Sequence, residues 1–291
     1  MHVVVTGAGG FVGGFVARHL ATHGFRVTAI TRKLLLKGQD GCGGVTWIET
    51  DLTCSQELPA QFDALVHCAA LLPSACAEPH RLYSENIAMA CNAFNQAMSA
   101  QAKSIVFLSS MSVYGSVNVA EVSEETEFDS PGAYGKAKYD AEHKLHECIM
   151  AGIGTGLSIR LPGTVGRESH NNFISDTLKL ILANQKIEIK NPNSFFNNIV
   201  YVESLAKFIM KWLHSSGRGY SMTNLASSEP MSIRDVISLL YLKTNRPEMV
   251  MFKDALPASF LISLNNAISL GYEPQTVHES ISDFVQAELM R

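Results

Sequence analysis

The stretch "VVVTGAGGFVGG" places Gly7, Gly10 and Gly13 between an apolar run that reads as a strand, His2 to Val5, and an amphipathic stretch that reads as a helix, Gly13 to His23. Glycines at this spacing supply what a dinucleotide pyrophosphate needs. They allow a tight turn, remove side chains from the approach, and leave helix N-terminal N–H groups aimed at the anion. A glycine-rich turn of this kind also arises for packing alone, and its neighbours decide between the two. Further short apolar runs lie at Phe25 to Ile30, Val45 to Ile48, Ala64 to His67, Ile105 to Leu108 and Leu157 to Leu161. Helix-like stretches separate them, notably Tyr83 to Ala100 and Tyr134 to Ala151. Strand and helix alternating over the first part of the chain predict right-handed crossovers and a parallel sheet. In that setting, the glycine turn reads as a cofactor cradle.

The expected fold is therefore α/β: a Rossmann-like, doubly wound parallel sheet over residues 1–165, followed by a smaller mixed α/β substrate-binding domain over 166–291. Part of 197–226 is expected to return to the first domain. Within the second part, "GRESHNN" reads as polar, Phe173 to Ala183 as a helix and "KNPNSFFNN" as a loop. With 291 residues, 46% of them hydrophobic, the chain can bury the core that two domains require. A net charge of −4 with no basic run argues against nucleic acid or an anionic membrane as partner, and for a small molecule. The six cysteines, Cys42, Cys54, Cys68, Cys76, Cys91 and Cys148, lack CxxC spacing, which fits neither a zinc site nor a disulfide framework. No segment reads as a signal peptide or a membrane span, and a cytoplasmic location is expected.

The second strand ends "VTAITRK". At this position an acidic residue would bind the ribose hydroxyls of NAD, whereas arginine pairs with the 2′-phosphate of NADP. The chain offers Thr31 and Arg32, so NADP is expected, with NAD the alternative; a plain solvated arginine is the competing reading. Asp51 and Leu52, after the third strand, are placed to touch the adenine edge, unless Asp51 only caps a turn. In "AYGKAK", Tyr134 and Lys138 stand four apart on one helix face. Tyrosine titrates near ~10, and acting as a base at pH 7 requires about 4 kcal/mol of differential stabilisation, for which the lysine charge is one source. The hydroxyl-rich "LSSMSVYG" ends the strand between these two motifs.

Together these residues resemble the extended short-chain dehydrogenase/reductase family, the NAD(P)-dependent nucleotide-sugar epimerases, dehydratases and 4-ketoreductases. The resemblance is carried by "TGAGGFVG", "DL" at 51 to 52, "LVHCAA", Asn86, "SSMSVYG", "YGKAK", "RLPGTVG" and "LGYEP". It implies that Ser110 hydrogen-bonds the substrate oxygen, that Tyr134 transfers the proton, and that Lys138 holds the nicotinamide ribose and depresses the tyrosine pKa. It also places Gly7, Gly10, Phe11, Val12, Gly13, Thr31, Arg32, Asp51, Leu52, Ala69, Ala70, Tyr134, Lys138 and Leu161 around the cofactor. Ser110, Ser112, Asn172 and Lys190 fall on the substrate side. A homodimer is expected by the same resemblance.

Dehydratases of the family carry an acid directly after the hydroxyl residue, because eliminating water needs both an acid and a base. Here Met111 and Ser112 stand there, and Ser112 also replaces the cysteine of the epimerase-reductases. Asn172 matches a diphosphate-binding asparagine but equally suits a helix N-cap. Asn197 occupies the place of a phosphate-clamping arginine, which it cannot replace unless Lys190, Lys186 or Arg234 does so. His143 and His146 read as a solvated helix face, His170 as a surface-loop residue, and His67 as part of a strand end. The expected activity is NADP-dependent reduction of a nucleotide-linked 4-keto sugar. C4 epimerisation is the first alternative, and a non-catalytic cofactor-binding regulator or scaffold is an alternative of another class.

Overall fold

The computed structural model describes residues 1–34, 44–54, 58–152, 154–169, 171–215, 217, 219–254 and 259–290. Cys42 and His170 lie outside the described residues. Two compact units divide the chain. The first comprises Met1–Ser116, Phe128–Arg160 and Ala206–Thr223, the second Val117–Glu127, Leu161–Leu205 and Asn224–Arg291.

The first unit is built on a sheet whose strands, numbered along the chain, are β1 (His2–Thr6), β2 (Arg26–Thr31), β3 (Val45–Glu49), β4 (Ala64–His67), β5 (Ser104–Ser110), β6 (Thr155–Leu161) and β7 (Gly219–Asn224). Their order is β7-β6-β5-β4-β1-β2-β3. The pairings from β3 to β5 are parallel, with Val3 opposite Val27 and Ala64. Val3, Val4, Val5, Leu65 and Val66 have no solvent exposure, as expected for strands covered on both faces by crossover helices. After β3 the chain passes to the other side of β1 to form β4. This reversal of strand order opens a crevice beyond the carboxyl ends of β1 and β4, where ligands bind in folds of this kind.

Helix α1 (Phe11–Thr22) buries Gly13, Val16, Ala17 and Leu20. Helix α2 (Pro79–Ser99) begins four residues before the Tyr83 expected from periodicity, because Pro79 is preset for the first helical position. Helix α3 (Ala133–Met150) buries Ala137, Ala141 and Leu145, and with them two charged residues, Lys138 and Glu142. Helix faces from α2 and α3 share a core with Leu65, Ile105 and Phe107.

The second unit contains α4 (Phe173–Leu182), α6 (Ile233–Thr244), the short α7 (Asn265–Ser269) and α8 (Val277–Leu289), while α5 (Val202–His214) runs from this unit into the first. Its core joins Ile174, Leu178, Val236, Leu240, Ile281 and Phe284. Strand pairs of two to four residues complete it. The segment 117–127, assigned by sequence to the first domain, falls here, and Glu121–Val122 pairs with Leu261–Ile262 far downstream. The expected loop "KNPNSFFNN" also contains a strand: Phe195–Phe196 pairs antiparallel with Met231–Ser232.

Asn172 caps α4. Its Oδ1 accepts from the backbone N–H groups of Ile174 at 3.1 Å and Ser175 at 3.0 Å, and Ser175 Oγ accepts from the Asn172 N–H. Asn172→Ala is expected to cost about 1 kcal/mol of stability, read as a lowered urea midpoint at unchanged slope. Among the described residues, no helix is long and apolar enough to cross a membrane.

Candidate active site

The glycine turn lies where the sheet order reverses. Gly7 has φ +65°, in the left-handed region, and a Cβ there would stand 2.6 Å from the Ala69 nitrogen. The turn after β1 thus lies directly on the turn after β4, with no room for a side chain. A Cβ at Gly13 would run into the Gly7 carbonyl, so α1 starts tight against the turn. Gly10 is the N-cap of α1 and no side chain caps the helix. Phe11 and Val12 follow, half-buried, in its first turn. The result is a glycine-lined turn at a helix N-terminus, an arrangement that can hold an anion such as a diphosphate.

Thr6 and His67 hold this cradle together, a role that sequence reading missed. Thr6 Oγ1 accepts from the N–H groups of Cys68 at 3.2 Å and Ala69 at 3.3 Å and lies 2.8 Å from His67 Nδ1. With its lone pairs engaged, the threonine hydroxyl donates to the imidazole. Burial holds His67 neutral, its pKa lowered to about 3. Asn86 secures the following turn: its amide accepts from Leu71 N–H at 3.0 Å and donates to the Leu71 and Leu82 carbonyls. Ala69 and Ala70 are half-buried in that turn.

At the end of β2, Thr31 is buried and its side chain lies against Gly9, while Arg32 is exposed. Asp51 accepts from Thr53 N–H at 2.9 Å and Thr53 Oγ1 at 2.8 Å, bonds that hold its carboxyl below the usual range; the Arg32 charge adds to the effect. These bonds close the turn-capping arrangement that sequence left as an alternative. The Leu52 side chain is in the core, and its carbonyl accepts from Asn92 at 2.9 Å.

The stretch "SSMSVY" separates by side. Ser109 and Tyr114 point inward, whereas Ser110 caps a 3₁₀ turn over Met111–Tyr114. Its Oγ accepts from Ser112 N–H and donates to Ser112 Oγ, both at 3.1 Å. Helix α3 docks on this turn through Gly135, where any Cβ would meet the Ser112 carbonyl. This close approach brings Tyr134 and Lys138 to the turn that Ser110 begins. Lys138, 3% exposed, donates to the Leu108 carbonyl at 2.8 Å, and its Nζ stands 5.7 Å from the Tyr134 ring centroid.

Burial sets both pKa values. It pushes Tyr134 up to about 12 and lowers Lys138 to about 8, against opposing contributions from Cys68 and Glu142. Desolvation acts on the phenol and acts upward, and the ammonium is bonded to a backbone carbonyl. At neutral pH Tyr134 carries its proton.

Leu161, Asn172 and Lys190 belong to the second unit. The Asn172 side chain caps α4 and also donates to the Thr164 carbonyl at 3.2 Å. Lys190 and Lys186 are exposed, and Arg234 lies over the Phe252 ring at 4.2 Å. Asn197 is buried and pairs with the Ile262 backbone, accepting from its N–H at 2.9 Å and donating to its carbonyl at 2.8 Å. It is thereby committed to tying down a strand. His143 and His146 are exposed, against Tyr139 and Tyr220 respectively.

Residues 3–226 match the model of the NAD dependent epimerase/dehydratase family. The chain is 22% identical to a UDP-glucose 4-epimerase of Corynebacterium glutamicum, over 94% of this chain and 91% of that protein. It is 24% identical to a dTDP-4-dehydro-6-deoxy-D-allose reductase of a Streptomyces species, over 97% and 94%. A solved structure of MoeE5 in complex with UDP-glucose and NAD superposes with a TM-score of 0.81, covering 98% of each chain at 22% identity.

Proposed function

Because the chain belongs to the NAD dependent epimerase/dehydratase family, we propose that it reduces the 4-keto group of a nucleotide-linked sugar, with Tyr134 as proton donor. The observation that carries this reading is the half-buried Tyr134 on a helix docked against the Ser110 turn, with Lys138 one turn behind it and its Nζ 5.7 Å from the tyrosine ring centroid. Ketone reduction consumes a proton at oxygen, so a tyrosine that holds its proton at neutral pH begins in the required state. Oxidation of an alcohol would need the phenolate instead.

Gly7, Gly10 and the first turn of α1, Phe11 to Gly13, would hold the diphosphate, and Thr31, Arg32, Asp51 and Leu52 the adenosine half. Ala69, Ala70, Lys138 and Leu161 would face the nicotinamide side. When bound, NADPH supplies the hydride. Ser110 donates a hydrogen bond to the substrate carbonyl oxygen, exchanging its bond to Ser112 for it. Tyr134 delivers its proton to that oxygen, and the Lys138 ammonium stabilises the phenolate left behind. Ser112, Asn172 and Lys190 are assigned to the substrate side. Neither Met111 nor Ser112 can act as the acid of an elimination, which argues against dehydration.

NADP is proposed as the preferred cofactor, on Arg32 at the end of β2. Arg32→Glu is expected to shift the ratio of NADPH to NADH binding by roughly 10- to 100-fold towards NADH, the value of one charged hydrogen bond to phosphate. Fluorescence titration of both cofactors measures it. The second reading, C4 epimerisation, is supported by the Corynebacterium glutamicum relative and by the NAD in the MoeE5 structure. Assay of UDP- and dTDP-linked sugars separates the two. A reductase oxidises one NADPH per product, whereas an epimerase converts substrate with no net change in nicotinamide absorbance. If cofactor binds and no sugar changes either signal, a regulator or scaffold is the better reading.

A further inference from the structure

Beneath the Ser110 turn lies a charged network that none of these roles uses. Arg160, on β6, and Glu142, on α3, are 1% and 3% exposed. The guanidinium donates to the carboxylate through Nε at 3.0 Å and Nη2 at 2.7 Å, a two-pronged contact, and through Nη1 to the Tyr114 hydroxyl at 2.8 Å. Its face also covers the Tyr114 and Phe128 rings, at 5.0 Å and 5.1 Å from their centroids. Ser109 Oγ donates to the same carboxylate. The network thus joins α3, β5, the 3₁₀ turn and β6. A buried ion pair is weak evidence for stability, because desolvation offsets its attraction and apolar residues of similar volume often serve equally well. Its placement points elsewhere: Glu142 stands one turn after the buried Lys138 and two after the half-buried Tyr134 on the same face of α3.

We propose that the Glu142–Arg160 pair is a positioning unit, which locks α3 and the Ser110 strand end in one register and so aligns Ser110, Tyr134 and Lys138. Ser109 is gripped on one side of this lock and Ser110 is presented on the other, since successive strand residues point to opposite faces. The pair also supplies charge. Lys138 is faced by Tyr134 and Glu142 from α3, by His67 and Cys68 from the end of β4, and by the Leu108 carbonyl from β5; Arg160 on β6 stands behind Glu142. Burial keeps His67 neutral and holds the Cys68 thiol protonated, its pKa raised to about 12. Of the two groups that oppose the downward pull of burial on Lys138, Cys68 and then Glu142, Glu142 is the one held in an ion pair.

The inference rests on the proposed roles of Tyr134 and Lys138, and its test includes a readout that needs no turnover. In full-length protein, the pH dependence of acetic anhydride labelling of Lys138, read by mass spectrometry against exposed lysines, gives its titration midpoint. Glu142→Gln is expected to move that midpoint down by about 0.5–1 pH unit. The alkaline limb of kcat should move with it, and kcat should fall about 10- to 100-fold with KM changed little. An unmoved midpoint and limb, with activity reduced only in proportion to folded protein, would overturn the proposal. Should Glu142→Gln fail to fold, the paired change Glu142→Leu with Arg160→Met leaves an uncharged, filled interior and is read in the same way. Failure of both to fold would make the pair a folding requirement only and would also overturn it. A moved midpoint beside a fully active Tyr134→Phe would instead refute the proposed function and leave the hold on Lys138 standing.

Discussion

Tyr134→Phe is expected to lower kcat for keto-sugar reduction by about 1,000-fold, within the range by which a positioned general acid accelerates proton transfer. Cofactor affinity should change by no more than about twofold, because the ring that packs in the site is kept and only the hydroxyl is removed. The size of the effect follows from the surroundings. The phenol is half-buried and near Lys138, whereas the other proton carrier on α3's first turn, Lys136, is exposed and lies over the Tyr83 ring. Single-turnover measurement of NADPH oxidation, which isolates chemistry from product release, checks the result. A small loss in kcat with a large rise in KM would instead make Tyr134 a binding residue.

Gly7→Val is expected to remove measurable cofactor binding and to destabilise the first unit. Two costs add at this position. A β-branched residue at φ +65° takes on about 1–2 kcal/mol of backbone strain, and its Cβ would stand 2.6 Å from the Ala69 nitrogen and 2.7 Å from the Ala69 Cα. Backbone cannot yield as a flexible side chain does, so the turns after β1 and β4 must separate. That separation breaks the bonds from Cys68 and Ala69 to Thr6 Oγ1. Thermal unfolding and NADPH fluorescence titration are expected to report both losses, with the binding loss exceeding what the fall in stability explains.

Much of the first unit was legible because its signals are local. Buried parallel strands read as apolar runs, and the glycine spacing and the Tyr134–Lys138 spacing each express one turn of backbone. The capping of Asn172 was legible for the same reason, as one of two readings open to an asparagine before an apolar helix. What stayed hidden depends on contacts between distant residues. Glu121–Val122 joins the second unit through a partner far downstream, and a two-residue strand shows no periodicity. Asn197 was visible as a departure from the family pattern, but its bonds to the Ile262 backbone could not be read from its neighbours. The charged network left one trace: arginine in the apolar run "LSIRL" and glutamate on the Tyr134 face of α3 are residues that stay buried only when paired. The desolvation that the fold imposes on Tyr134 and Lys138, which pulls the tyrosine up and the lysine down, likewise has no local signal in the sequence.

Reduction by this route is net hydride delivery to a sugar carbon, with a proton from Tyr134. It is tested most directly by incubating the protein with 4-deuterated NADPH and a panel of nucleotide-linked 4-keto sugars, then following the deuterium by mass spectrometry. One deuterium is expected in each product molecule, with one oxidised cofactor formed per product. Sugar converted with no net oxidation of the cofactor, or cofactor bound with every sugar unchanged, would contradict it.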